Sequence, residues 1–221
     1  MNILITGGGC EEAIDSVRSV CNLSTGKTAC KIASTLLNTK PSIKITAIMA
    51  EKAEKAEKPE GCTVRTFRSF SDLEHILKEE CTAGSYDAVI HAAAVSDYSP
   101  ETVIIDGKEY PAGSISKISS EKSLLIKMKK NPKLIESIKS WTGKNCTLVG
   151  FKLTSNATRK EQETAVAKMF SAENPPDLVA ANDVSLITPD FHPFRLYKKT
   201  GLAAECSSIE SMCGHILRIM I

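Results

Sequence analysis

The residues Asn2-Ile-Leu-Ile-Thr-Gly-Gly-Gly9, NILITGGG, decide the fold. So short an unbroken apolar run is a strand buried on both faces, and the glycines at its end let the backbone turn at once. Helical and strand-like stretches alternate outward from it. From Gly26 the residues Ala29, Ile32, Ala33, Leu36 and Leu37 fall on one helix face, and IKITAIM (43–49) reads as the next strand. EKAEKAEKPE (51–60) is a solvated loop or short surface helix, and CTVRTF (62–67) is a strand. Ser71-Asp-Leu-Glu74 reads as a capping box that opens a helix to about Cys81. YDAVIHAAAV (86–95) is a buried strand that runs into small residues.

The pattern then changes. TVIIDGKEYP alternates around Asp106-Gly107, a hairpin signal where the alternation calls for a helix, so residues 99–130 read as an inserted flap. Asn131-Pro132 reads as the cap of a helix carrying Leu134, Ile135, Ile138 and Trp141. CTLVGF (146–151) is a strand, 159–173 a helix, DLVAAN (177–182) a strand, and FRLYKKTGLAAE a hairpin. Ser207-Ser-Ile-Glu210 reads as a second box, opening a helix with Ile209, Met212, Ile216 and Leu217 on one face. The alternation predicts one Rossmann-like three-layer α/β domain over 1–221, a parallel sheet with helices on both faces plus the flap. In such sheets ligands bind beyond the carboxyl ends of strands, here 7–9, 92–97, 151–156 and 181–183.

Composition narrows the function. A net charge of +2 without a basic tail implies no nucleic-acid partner, and no apolar run approaches the ~20 residues of a membrane span. The sequence enters its first strand with no signal peptide, and none of the eight cysteines stands in C-x-x-C spacing. The expectation is a cytoplasmic protein with reduced thiols, neither a disulfide frame nor a zinc site.

Two nucleotide motifs fail. CNLSTGKT (21–28) ends like a P-loop, but Cys21 stands where the first glycine belongs, and the preceding SVRSV is a poor buried strand. Gly7-Gly8-Gly9 is suited to phosphate, but Cys10, Glu11 and Glu12 follow it, so it is not G-x-G-x-x-G. A short-chain reductase needs Tyr with Lys four residues on. Residues Tyr86, Tyr98, Tyr110 and Tyr197 are followed there by Ile90, Thr102, Ser114 and Gly201. His91 reads as a core histidine, and His75, His192 and His215 have no partner at metal spacing.

Taken together, ILITGGGCEEAIDSVRSVCNLSTGKTACKIA, HAAAVSDY, KISS, LIKMKKNP, LVGFKL and DLVAANDVS resemble, in order, the motifs of phosphopantothenate–cysteine ligases. The resemblance runs over about residues 2–185. It implies condensation of 4′-phosphopantothenate with cysteine in coenzyme A synthesis. A nucleoside triphosphate, with Mg²⁺, activates the carboxylate as an acyl-nucleotidylate, which the cysteine amine then attacks. KISS in place of a more basic run, and a start at the ligase signature, resemble stand-alone bacterial members, which implies CTP, with ATP the alternative. A nucleotide-binding scaffold that has lost catalysis is the other reading. Failure to bind NADP would dismiss a reductase.

The resemblance assigns roles residue by residue. Asn22 matches the residue that holds the substrate carbonyl; an oxyanion donor of that kind is worth about 3–4 kcal/mol. Arg18 matches the arginine beside it, supplied in related dimers by the neighbouring subunit, so a homodimer with shared sites is implied. Lys117 matches the flap lysine on the nucleotide phosphates. Ala93 and Ala94 match small residues against substrate. Gly8, Gly9, Ala92, Ala93, Asp97, Lys129, Lys130, Asn131, Pro132, Phe151 and Lys168 match the nucleotide site. Mg²⁺ is expected on the phosphates, with no protein ligand assigned. Two departures stand out. Cys10 occupies a position where Thr is common, and Ala172 stands where some relatives place a second lysine four residues after Lys168, which leaves Arg159 or Lys160 to compensate.

Overall fold

The computed structural model describes residues 1–56, 59–119, 123–143 and 145–220. The first half of the chain forms β1 (Asn2–Gly7), β2 (Glu11–Ala13), β3 (Ser19–Cys21), α1 (Lys27–Thr39), β4 (Lys44–Ala50), α2 (Glu51–Ala56), β5 (Thr63–Phe67), α3 (Phe70–Ala83) and β6 (Ala88–His91). Then come β7 (Tyr98–Ile105), β8 (Lys108–Pro111) and β9 (Leu124–Lys130), followed by α4 (Leu134–Thr142) and β10 (Thr147–Thr154). The chain continues through α5 (Arg159–Phe170), β11 (Leu178–Asp183), β12 (Phe194–Lys198) and β13 (Gly201–Cys206) to α6 (Ile209–Met220).

Eight strands form one sheet in the order β13-β12-β11-β10-β6-β1-β4-β5. Pairing is parallel from β11 to β5, and the β12–β13 hairpin closes the other edge in antiparallel sense. Ile3, Leu4 and Ile5 are fully buried, as their central position demands. α1 packs with α6, and α3 with α4. Right-handed crossovers put these two pairs on opposite faces, since the chain leaves β1 in one direction and returns from β5 in the other. This is the Rossmann-like α/β sheet expected from the alternation.

Residues Tyr98–Lys130 contain a separate three-stranded antiparallel sheet, β8-β7-β9. Its hairpin turns on Asp106 and Gly107, both at positive φ (48° and 83°), the geometry of a type I′ turn. Val103, Ile118 and Ile14 form a small core of their own beneath it.

Three caps differ from expectation. α3 is capped by Ser69, which accepts from Asp72 N (3.2 Å) while Asp72 Oδ2 accepts from Ser69 N (2.8 Å). Starting two residues before Ser71 lets Phe70 be buried at the price of nothing, because Ser69 and Asp72 make an equivalent box. Ser208, not Ser207, accepts from Ser211 N at 3.2 Å before α6, which turns Ile209 into the core. α4 begins at Leu134 after Lys133 with no side-chain cap, because the Asn131 amide is committed elsewhere.

Candidate active site

Between β1 and β6 the sheet reverses its direction of travel: the chain moves from β1 to β4 on one side and from β6 to β10 on the other. Such a switch point leaves a crevice beyond the strand ends. A cleft of about 1040 Å³ lies there, and Asn22, Ala93, Ala94, Asp97, Pro132, Phe151 and Lys168 all line it.

The end of β1 is stitched to the segment after β6. Ala92 N donates to Thr6 O (3.2 Å), Ala93 N to Thr6 Oγ1 (3.1 Å), and Ala94 N to Gly8 O (2.8 Å). The Thr6 hydroxyl also bonds His91 Nδ1 at 2.9 Å. Burial pushes His91 down to about 4, so the imidazole is neutral near pH 7. It is the satisfied core histidine expected, although it also forms part of the cleft wall.

The glycines serve neighbouring protein atoms. A Cβ on Gly8 would stand 2.5 Å from Ala50 Cβ, and one on Gly9 would stand 2.1 Å from Asn22 O. Gly8, Gly9 and Ala92 do not line the cleft; Gly9 instead lets residues 21–22 cross the end of β1. Across it, Asn22 N donates to Cys10 O at 3.0 Å. The Asn22 side chain accepts from Ser96 Oγ at 3.1 Å and reaches toward Val95 O at 3.5 Å. Residues 22–28 therefore cross a strand end and enter α1 without forming a P-loop, and β3 before them belongs to a half-exposed two-stranded sheet.

Arg18 and Lys117 lie outside the cleft lining and close to one another in the fold. Buried Asp15 organises this corner: its carboxylate accepts from Val17 N (2.9 Å), Arg18 N (2.7 Å), Ile118 N (3.1 Å) and Arg18 Nη1 (2.8 Å). Arg18 Nη2 donates to Ile118 O at 3.0 Å. Desolvation opposes ionisation of Asp15, but these donors together hold its carboxyl below the usual range. Lys117, one residue before Ile118, is exposed.

Asn131 was expected to cap α4 and touch nucleotide. It is buried, and its amide donates to Ser96 O (2.9 Å) and Ser99 Oγ (2.7 Å), so it ties the start of the flap to its end. Asn131, Lys129 and Lys130 do not line the cleft. Asp97 does, paired with Lys133 at 2.5 Å. Phe151 stands edge-on to Phe194, with centroids 6.1 Å apart.

Sequence reasoning missed two cleft lysines, Lys133 and Lys152. Lys152 follows Phe151 at a strand end facing the crevice, the signal that would have found it. Ala172, standing where some relatives place a second lysine, lines the cleft along with Lys168. Arg159 does not compensate for it, since it pairs with Glu163 (3.0 Å) and Glu205 (3.7 Å), and neither Arg159 nor Lys160 lines the cleft. Among the described residues no three His, Cys, Asp or Glu side chains converge as a metal cage. No helix among them is long and apolar enough to cross a membrane.

Residues 1–209 match the family described as the DNA/pantothenate metabolism flavoprotein C-terminal domain. The chain belongs to this family. Within reach of this flavoprotein domain family, the coenzyme A biosynthesis bifunctional protein CoaBC of Methanocaldococcus jannaschii is 28% identical over 183 residues, covering 83% of this chain and 40% of the relative. The CoaBC protein of Vibrio parahaemolyticus is 29% identical over 84% of this chain and 42% of its own length. The chain thus spans about two fifths of the curated relatives it matches. A crystal structure of the DNA/pantothenate metabolism flavoprotein from Streptococcus pneumoniae superposes with a TM-score of 0.85 at 30% identity, covering 100% of this chain and 98% of that one. A mutant of Cab2 complexed with phosphopantothenate-cysteine shares the fold (TM-score 0.74, 16% identity, 98% of this chain and 85% of that one).

Proposed function

We propose that this domain is a phosphopantothenate–cysteine ligase that acts through an acyl-nucleotidylate, with CTP as the activating nucleotide. The observation that carries this reading is the convergence of Asn22, Ala93, Asp97, Phe151 and Lys168 on one cleft at the switch point, inside a domain of this family. The name of the CoaBC relatives supports a place in coenzyme A biosynthesis, and the Cab2 complex with phosphopantothenate-cysteine supports the substrates.

Activation sets a carboxylate against an α-phosphate, and the lysines answer the repulsion. Lys168 and Lys152 border the cleft, and Lys117, exposed on the flap outside its lining, is the family-matched lysine for the nucleotide phosphates. Mg²⁺ enters as the magnesium–nucleotide substrate, held on the nucleotide phosphates. In the second step negative charge grows on the carbonyl oxygen as the cysteine amine attacks. The Asn22 amide supplies a neutral N–H donor to it. Ala93 and Ala94 leave room for the pantothenate arm because their backbones are drawn against β1. Arg18, held to Ile118 outside its own cleft, supports a homodimer in which it serves the partner's site. We place the reaction in the cytoplasm, where coenzyme A precursors are handled.

The test is pyrophosphate release from purified protein with Mg²⁺ and 4′-phosphopantothenate, supplying CTP or ATP, with and without cysteine. CTP-dependent release that multiplies on adding cysteine supports the reading in full. Release with ATP alone keeps the ligase and overturns the base. No release with either nucleotide overturns the ligase. Mixing Arg18→Ala with Asn22→Ala protein should restore turnover if sites are shared.

A further inference from the structure

Ser96 stands between Val95 and Asp97, both of which line the cleft, and no role attaches to it from the sequence. It is buried, and its hydroxyl lies 3.1 Å from Asn22 Oδ1. Its carbonyl accepts from the buried Asn131 amide at 2.9 Å, which fixes the Ser96 backbone to the far end of the flap. Cys10 adjoins it as well, feeling hydrogen bonds from both the backbone and the side chain of Ser96.

The orientation of an asparagine amide follows from its neighbours. With Oδ1 toward Ser96, the Asn22 amide accepts from a hydroxyl and turns Nδ2 toward Val95 O at 3.5 Å. Flipped, Oδ1 would face the Val95 carbonyl, two acceptors with no proton between them. The Ser96 hydroxyl satisfies the Oδ1 that this orientation leaves pointing inward. Nδ2 carries two N–H groups and spends one at most on Val95, so a donor remains for the cleft that Asn22 lines. A long 3.5 Å contact alone is a weak lock. The Ser96 bond is the shorter of the two.

We propose that Ser96 is a positioning residue for this reaction: its hydroxyl holds the Asn22 carboxamide with the N–H₂ group presented to the substrate carbonyl. The inference rests on the ligase reading above and deepens it. Ser96 touches no reacting atom, and its effect falls on the step in which Asn22 acts. Loss of the hydroxyl therefore slows attack by cysteine and spares activation of the carboxylate.

The test compares wild type, Ser96→Ala, Asn22→Ala and the double variant, each checked for an unchanged thermal midpoint. Two readouts are taken with CTP or ATP: the single-turnover burst of pyrophosphate without cysteine, and steady-state turnover with it. Ser96→Ala should keep the burst and the nucleotide KM while kcat with cysteine falls about tenfold. In the Asn22→Ala background the same change should have no further effect, since the group it orients is gone. Ser96→Cys, nearly isosteric and a far weaker donor, gives the same direction of effect if the alanine variant yields little folded protein. Wild-type kcat in both Ser96 variants overturns the proposal alone, as does a loss that adds fully to that of Asn22→Ala. Absence of turnover in the unsubstituted protein overturns the ligase reading, and this role with it.

Discussion

Gly9 has no side chain because the Asn22 carbonyl occupies the space one would fill. Gly9→Ala must push residues 21–22 off the end of β1, so its effect falls on the site more than on the core. Turnover should drop at least a hundredfold, with a thermal midpoint lowered by only a few degrees. Gly113→Ala is the control: it carries φ of +75° but meets nothing nearer than 3.6 Å, so it should cost about 1 kcal/mol in urea unfolding and leave turnover intact. The cysteines test the same neighbourhood. Burial pushes Cys10 and Cys62 up to about 11, and Cys81 and Cys213 up to about 12, whereas Cys21 is exposed beside Asn22. Titration with a disulfide reagent at pH 8 should find one fast thiol in the native protein and eight in urea. Cys21→Ser should remove the fast phase, and bound substrate should slow it.

At the scale of elements, the Asp15 carboxylate joins the β2–β3 turn to the base of the flap through four donors. Asp15→Ala frees residues 115–118 and leaves Arg18 without its partner. Amide exchange across that segment should accelerate, and the KM for nucleotide should rise severalfold because Lys117 loses its anchor. Lys152→Met should raise the same KM about tenfold, the scale of one charge-assisted contact. How far such features were legible depended on burial. β1, β6 and β10 announced themselves because central parallel strands are apolar on both faces. β9 did not, since LLIKMKK keeps one side in solvent and alternates weakly, and the three-residue strands β2 and β3 are too short to carry a period. Asn131 was misread because Asn-Pro is equally good as a cap and as the start of a loop, and only the fold brings Ser96 and Ser99 to its amide. Asn22, Ala93 and Phe151 were legible through motif resemblance, and Lys152 had a local signal beside Phe151, but Ser96 acts through geometry that no single segment contains.

For the whole molecule, His91 sets a pH window. Its pKa is depressed from 6.5 to about 4 by burial, so between these values the unfolded chain binds a proton that the native state refuses. Stability contributed by the neutral ring is fully present above pH 6.5 and is lost as pH falls toward 4, a total of about 3 kcal/mol. Urea midpoints should fall across that range, and His91→Asn, which keeps an acceptor for Thr6, should flatten the fall. The strand order has one more consequence, for the time course of folding. Thr6 and His91, bonded across neighbouring strands, stand 85 positions apart in sequence. No local hairpin can build the centre of this sheet, so long loops must close before the pairing rewards them. The cleft draws on residues 22, 93–95, 97, 132, 151–152 and 168, and it exists only after β1, β6 and β10 have met. During refolding from urea, helical signal should return before any turnover does. Recovered activity then reports completion of the central sheet, and it should arrive in the slowest phase.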